Sequence, residues 1–322
     1  MTLRKWLFLL LLPLFCAACG KSGLTGPRYG LQDLALSPDG HLLAVRFFDH
    51  ELKKPGFGLY DWQRGKFTAI RSPAPDRGFT DPSFSPDGKS LVAVSGNQIV
   101  RIALDSLAVT ALTEGGEGFK ESPVFLPDDS GILYVTGSPA HYMLIDLADR
   151  REKEMLDPAL GFGRLSRAFF GGPDRIIFTA ANPADFTLRE QLEQFPDSRP
   201  ATDLHVYGMK FGAMPELILK NLWIEGKKKS PWFSGQQTLQ ASKDAKRIIF
   251  IDQELFLIEG SELKQMTHLD SALIAASISY DGSTAAFGCD SSHSGDYRLC
   301  VLDLNSGKVT KIGLQSDLRV AD

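Results

Sequence analysis

Phe84-Ser-Pro-Asp-Gly-Lys-Ser-Leu-Val-Ala-Val94 reads as a tight turn feeding an apolar β-strand. Proline fixes φ near the start of the turn, aspartate hydrogen-bonds the backbone ahead of it, and glycine accepts positive φ. The pattern returns as Leu36-Ser-Pro-Asp-Gly40, Phe125-Leu-Pro-Asp-Asp129 and Ile278-Ser-Tyr-Asp-Gly282. Weaker copies stand at Gly171-Gly-Pro-Asp174 and Ser242-Lys-Asp-Ala245. The six turn aspartates (Asp39, Asp87, Asp128, Asp174, Asp244 and Asp281) are 48, 41, 46, 70 and 37 residues apart. A turn recurring with the same flanks signals a repeat architecture.

The material around each turn completes the unit. A β-rich run follows it (Leu42–Val45, Leu91–Val94, Ile132–Val135, Ile176–Phe178, Ile248–Ile251, Thr284–Phe287), and a third strand often ends in a polar turn. Leu59-Tyr-Asp-Trp-Gln-Arg-Gly-Lys-Phe-Thr68 and Val301-Leu-Asp-Leu-Asn-Ser-Gly-Lys-Val-Thr310 are the clearest pair. A fourth short strand closes each unit, expected for instance at Glu154–Leu156 and Val309–Ile312. Four antiparallel strands in roughly 40 residues make a propeller blade, which buries its two faces only by stacking on neighbours. The predicted fold is an all-β, six-bladed β-propeller. The 70-residue gap holds one blade's worth of strands plus an insertion at about 182–203.

The Ser-Pro-Asp-Gly turn followed by an apolar strand resembles the WD40-like (PD40) repeat of TolB-type six-bladed propellers, over about residues 30 to 313. The resemblance implies a TolB-like fold for residues 30–322. It implies much less about function, because the repeat serves binding proteins and the propeller domains of peptidases alike. TolB itself carries an extra N-terminal α/β domain, for which no counterpart is expected here.

Residues 1–18 read as a secretion signal: Arg4 and Lys5, an apolar run from Trp6 to Phe15, and the small pair Ala17-Ala18. The run is too short to span a bilayer as a stable helix. Cys19 after Ala17-Ala18 resembles the lipidated cysteine of a bacterial lipobox, although Cys16 stands where leucine is usual. Residues 19–29 then form a small, polar tether. Two or more acyl chains would anchor the protein stably. Gly20 after the cysteine, by the sorting rule of such lipoproteins, directs it to the outer membrane, facing the periplasm. Removing residues 1–18 takes away Arg4 and Lys5 and no acid, so the formal charge moves from −4 to −6. That balance gives no basic footprint for a nucleic acid.

Besides Cys19, the chain without residues 1–18 has two cysteines, Cys289 and Cys300, on the second and third strands of the last blade. With the hairpin loop centred near Ser294 they are expected opposite each other, as a structural disulfide in an oxidising compartment. Two free buried thiols are the alternative.

Catalytic signatures are scarce. The sequence has no Gly-x-Ser-x-Gly elbow, no phosphate-binding loop and no His-Glu-x-x-His zinc motif, and its six histidines are scattered. No cofactor or metal is called for, since a turn aspartate bonding its own backbone explains the recurrence without calcium. The irregular material falls in second-to-third-strand loops and blade-to-blade connections, which share one face of a propeller. It includes Asp49–Gly56 and the insertion, where Leu188–Phe195 has helical apolar spacing. The stretch after it combines Trp223, Trp232 and Phe233 with Lys227, Lys228 and Lys229, and Phe195 lies nearby. Aromatics and cations together make this the candidate partner-binding region.

The function expected is a non-enzymatic envelope scaffold, monomeric and lipid-anchored, binding a protein or peptide on its loop face. The alternative is a hydrolase or lyase acting in the central channel. That reading calls for pKa-shifted polar residues converging there, and none stands out from the strand pattern.

Overall fold

The computed structural model describes residues 28–312 and 318, except 116–117, 139, 163–164, 171–173, 181–204, 220–238, 253, 261 and 291–297. Six four-stranded antiparallel sheets follow one another along the chain, each built from consecutive strands. They span residues 29–69, 79–111, 120–154, 169–219, 240–265 and 272–312. The innermost strands are Tyr29–Leu36, Phe79–Phe84, Lys120–Phe125, Phe169–Phe170, Gln240–Ala241 and Ala272–Ile278. The fourth strand of blade three lies at Glu152–Glu154, two residues before its expected place. Leu156, instead of pairing at that edge, is buried in the core between blades three and four.

Where the turns are described, side chains hold them as well as the backbone. In the first, the Ser37 hydroxyl donates to Asp39 Oδ1 (2.6 Å) and accepts from Leu42 N (2.8 Å), while His41 N also donates to Asp39 Oδ1 (3.1 Å). Gly40 takes φ +76°. The same hydroxyl-to-carboxylate bond recurs from Ser85 to Asp87, Ser242 to Asp244 and Ser279 to Asp281. The Ser85 hydroxyl and the Lys89 N–H hold the Asp87 carboxyl below its usual range. Asp39 and Asp281 are also lowered: desolvation pushes them up, but their hydroxyl and backbone donors outweigh it.

Packing follows blade by blade. Six buried apolar clusters occupy the six interfaces between neighbouring blades. Between blades one and two, Phe57 and Phe79 lie 4.9 Å apart, centroid to centroid. Each fully buried aromatic there contributes about 1.5–3 kcal/mol through area removed from water.

Among the described residues the ring closes by the same packing, without strand exchange. Tyr29–Leu36 lies against Ala272–Ile278, and Leu31, Leu34 and Val45 share a cluster with Ala275, Ala286 and Val301. Leu36 N donates to Ser277 Oγ (2.9 Å), and Tyr280 N donates to Pro38 O (3.1 Å).

Cys289 and Cys300 are joined, with their Cα atoms 6.3 Å apart, inside the core between blades five and six. Their placement corrects the expectation of directly opposed partners. Cys289 pairs in register with Arg298, and Cys300 with Phe287. The bridge therefore runs diagonally, because the strands pair two residues out of step with an arrangement centred on Ser294.

Candidate functional site

The axis of the ring carries two kinds of surface. Toward the face of the Ser-Pro-Asp-Gly turns, the ends of all six inner strands line a cavity of about 90 Å3. Its wall is mostly apolar (Leu36, Phe84, Phe125, Phe169, Ile278), with Lys243 and Tyr280 from blades five and six and Arg167 from the connection leading into blade four. Lys243 Nζ lies 5.9 Å from the centroid of the Tyr280 ring. Burial raises the Tyr280 phenol well above its usual range, helped by the negative charges of Asp129 and Asp87.

Deeper in the ring lies a belt of charge. Three inner strands carry a β-bulge whose central residue takes left-handed backbone: Asp81 (φ 52°), Ser122 (φ 55°) and Ala275 (φ 47°). At blade two the bulge turns the Asp81 N–H toward the preceding blade, where Asp33 receives it. Asp33 Oδ2 accepts from Asp81 N (3.0 Å), and Asp33 Oδ1 accepts from Leu34 N (2.8 Å). Arg167 stands 3.9 Å from Asp81 Oδ1, and Arg46 pairs in register with Asp33. The Nε atoms of Arg46 and Arg167 are buried without a hydrogen-bond partner.

Burial pushes the Asp33 carboxyl up to about 6, and the Asp81 charge adds to the rise. Arg167, the Leu34 N–H and Arg46 oppose it. Glu121, from blade three, is also raised, first by burial and then by Asp81. This convergence was missed in the strand pattern, yet a signal existed. Asp33 and Asp81 occupy the same repeat position, four residues before Ser37 and Ser85.

On the opposite face, the second-to-third-strand loop of blade one and the connection into blade two enclose a cleft of about 220 Å3. Pro55 and Pro75 form its walls, with Phe57 and Phe79 beneath and Leu52, Lys54, Arg71 and Asp76 around it. Asp49–Gly56, expected as irregular loop, is loop only over residues 50–53: Asp49 ends the second strand and Lys54, Pro55 and Gly56 begin the third, paired with Asp49, Phe48 and Phe47.

The proposed patch of Phe195, Trp223, Lys227, Lys228, Lys229, Trp232 and Phe233 lies outside the described residues, as do Cys19 and the 182–203 insertion. Among the described residues, no group of three histidine, cysteine, aspartate or glutamate side chains is arranged to hold a metal ion. No helix among them is long and apolar enough to cross a membrane.

No protein-family model matches the sequence, and no curated protein matches it either. Solved structures do resemble it. TolB from Acinetobacter baumannii is 15% identical, with 91% of this chain and 65% of that one covered and a TM-score of 0.54. The β-propeller domain of the Trilobed protease from Pyrococcus furiosus, described as having an open velcro topology, is 14% identical over 89% of this chain and 84% of that one, with a TM-score of 0.52. An oligogalacturonate lyase in complex with manganese is 16% identical over 89% of this chain and 77% of that one, also with a TM-score of 0.52. At such identities the likeness is one of fold. The chain is a TolB-like six-bladed β-propeller. It spans 65% of the length of the Acinetobacter TolB chain, less than two thirds.

Proposed function

We propose that this chain is a binding propeller of the cell envelope. It is anchored through Cys19 on the periplasmic side of the outer membrane and takes a protein or peptide partner on its loop face. The observation that carries this reading is how the polar groups of the channel are used. Both oxygens of Asp33 are engaged by backbone N–H groups, one of them from the next blade. Asp33 is 6% exposed and Asp81 8%. These acids fasten blades to one another, and the axial cavity of about 90 Å3 admits little more than a side chain. The loop face, by contrast, offers the larger cleft. The TolB-like fold supports a protein partner, and the lipobox-like N-terminus supports the anchor.

In-cell photocrosslinking tests the reading, with the crosslinking residue placed at Leu52 on the loop face or at Lys89 on the turn face. A discrete adduct from position 52 and none from position 89 is expected. Adducts from neither would end the binding-protein reading. Loss of the adduct on deleting 182–203 would assign that insertion to the contact. Mass spectrometry of the mature N-terminus should find an acylated Cys19; an unmodified soluble product would remove the anchor.

One observation favours the second reading, a hydrolase or lyase in the channel. Asp33 near 6, a raised Glu121 and two arginines converge on the axis, a pattern common at catalytic sites. Turnover of a peptide or polysaccharide panel that disappears in Glu121→Gln would establish it. Glu121 is the group to change because it is the least buried of the three acids.

A further inference from the structure

We infer that the cleft between blades one and two docks an extended acidic peptide segment with an apolar anchor side chain, an assignment that rests on the loop-face reading above. The two walls of the cleft are rigid. Asp49 is fully buried, and its carboxylate accepts from Glu51 N (2.9 Å), Leu52 N (2.9 Å) and the Arg28 guanidinium (3.0 Å). That fixes the loop carrying Leu52, an apolar side chain left 52% exposed. Across the cleft, Ser72 Oγ donates to Gly78 O (3.2 Å) and accepts from Ala74 N (3.1 Å), while Gly78 N donates to Ala74 O (2.9 Å). Gly78 takes φ +67°, and a Cβ there would lie 3.1 Å from the ring of Pro55, so the two walls meet closely at the cleft base. A ligand entering this site orders little that is not already ordered, which lowers the entropic cost of binding.

Charge then selects the occupant. Lys54 and Arg71 stand on the rim, and Lys53, next to Lys54, and Arg77, next to Asp76, are exposed as well. None of the four has a carboxylate within ion-pair distance among the described residues. Glu51, the nearest acid in the first loop, is committed to Arg28 at 3.0 Å. Asp76 is the acid of the cleft lining. A cationic rim on a chain of net charge −4 is a local inversion of sign, and it draws a partner of opposite charge. The buried faces of Phe57 and Phe79 and the two prolines give that partner's apolar side chain a seat. A volume of about 220 Å3 suits one such side chain with its flanking backbone. Extended peptides dock in this way, with pockets for alternate side chains supplying specificity.

Fluorescence polarisation with the purified chain tests this. The probes are a labelled hexapeptide alternating glutamate and leucine, and counterparts with glutamine or lysine for glutamate and serine for leucine. The Glu/Leu peptide is expected to bind, with the glutamine, lysine and serine versions each weakened. The double variant Lys54→Glu/Arg71→Glu should weaken Glu/Leu binding about tenfold, since it reverses two exposed charge contacts. Leu52→Ser should weaken it too, with unchanged salt dependence. Equal binding of the Lys/Leu peptide, no binding up to millimolar concentration, or binding unaffected by Lys54→Glu/Arg71→Glu would overturn the assignment. Binding of anionic phosphatidylglycerol vesicles in place of the peptide would overturn it as well. A cellular adduct at position 52 that survives the charge reversal would sink this ligand class while leaving the binding-protein reading standing.

Discussion

Replacing Asp33 by asparagine should flatten the pH dependence of stability between pH 4.5 and 7.5. In the folded protein this carboxyl is raised from 3.8 to about 6 by burial and by its neighbour Asp81. The folded state therefore holds the proton more tightly than the unfolded chain does. Stability from this group is fully present below about 3.9, falls as pH rises toward 6, and stays low above it. The displacement of the Asp33 carboxyl corresponds to about 3 kcal/mol at pH 7.5. Asparagine cannot titrate, but it has one acceptor oxygen where Asp33 uses two, toward Leu34 N (2.8 Å) and Asp81 N (3.0 Å). One buried N–H is left facing an amide nitrogen, at a cost of about 1–3 kcal/mol at every pH. The variant should thus be clearly less stable than the natural protein at pH 4.5. The gap should close or reverse by pH 7.5. Urea unfolding at four pH values, read by tryptophan fluorescence, supplies the measurement, with equal m-values confirming that the same transition is compared. Parallel stability curves for the two proteins would refute the reasoning.

Two further outcomes follow from the turns and the last blade. Ser85→Ala removes the hydroxyl that donates to Asp87 (2.7 Å) and accepts from the buried Ser90 N (2.9 Å). Unfolding free energy should fall by about 1–3 kcal/mol, with the Asp87 carboxyl rising toward its ordinary range in an NMR titration; a loss below about 0.5 kcal/mol would show that water replaces the clamp. Removing the bridge with Cys289→Ala/Cys300→Ala frees a loop whose ends are 11 residues apart, and chain entropy assigns about 3 kcal/mol to its closure. Two reactive thiols in the denatured, unreduced natural protein would contradict the bridge itself.

Much of the fold was legible because the repeat punctuates itself. Asp39, Asp87 and Asp281 mark the same turn, and the strands after them fall where alternation placed them. The serine two residues before each aspartate was harder to read. Its hydroxyl bonds both the carboxylate and a backbone N–H five residues on, a contact between residues the turn itself brings together. The expectation that Cys289 and Cys300 lie directly opposite each other failed for a related reason, although the two are bridged: hairpin register depends on the whole ladder, and loop length alone does not fix it.

Local residue order was enough to determine the six-blade ring, because turn chemistry and strand alternation act within a few residues of each other. The channel belt and the blade-one cleft were decided only by tertiary structure. Asp33, Asp81 and Glu121 stand on three different blades and Arg167 on the connection leading into a fourth, and closing the ring brings them within interaction distance. Burial together with that proximity displaces Asp33 to about 6. Neither exists along the chain, where Asp33 and Asp81 are 48 residues apart.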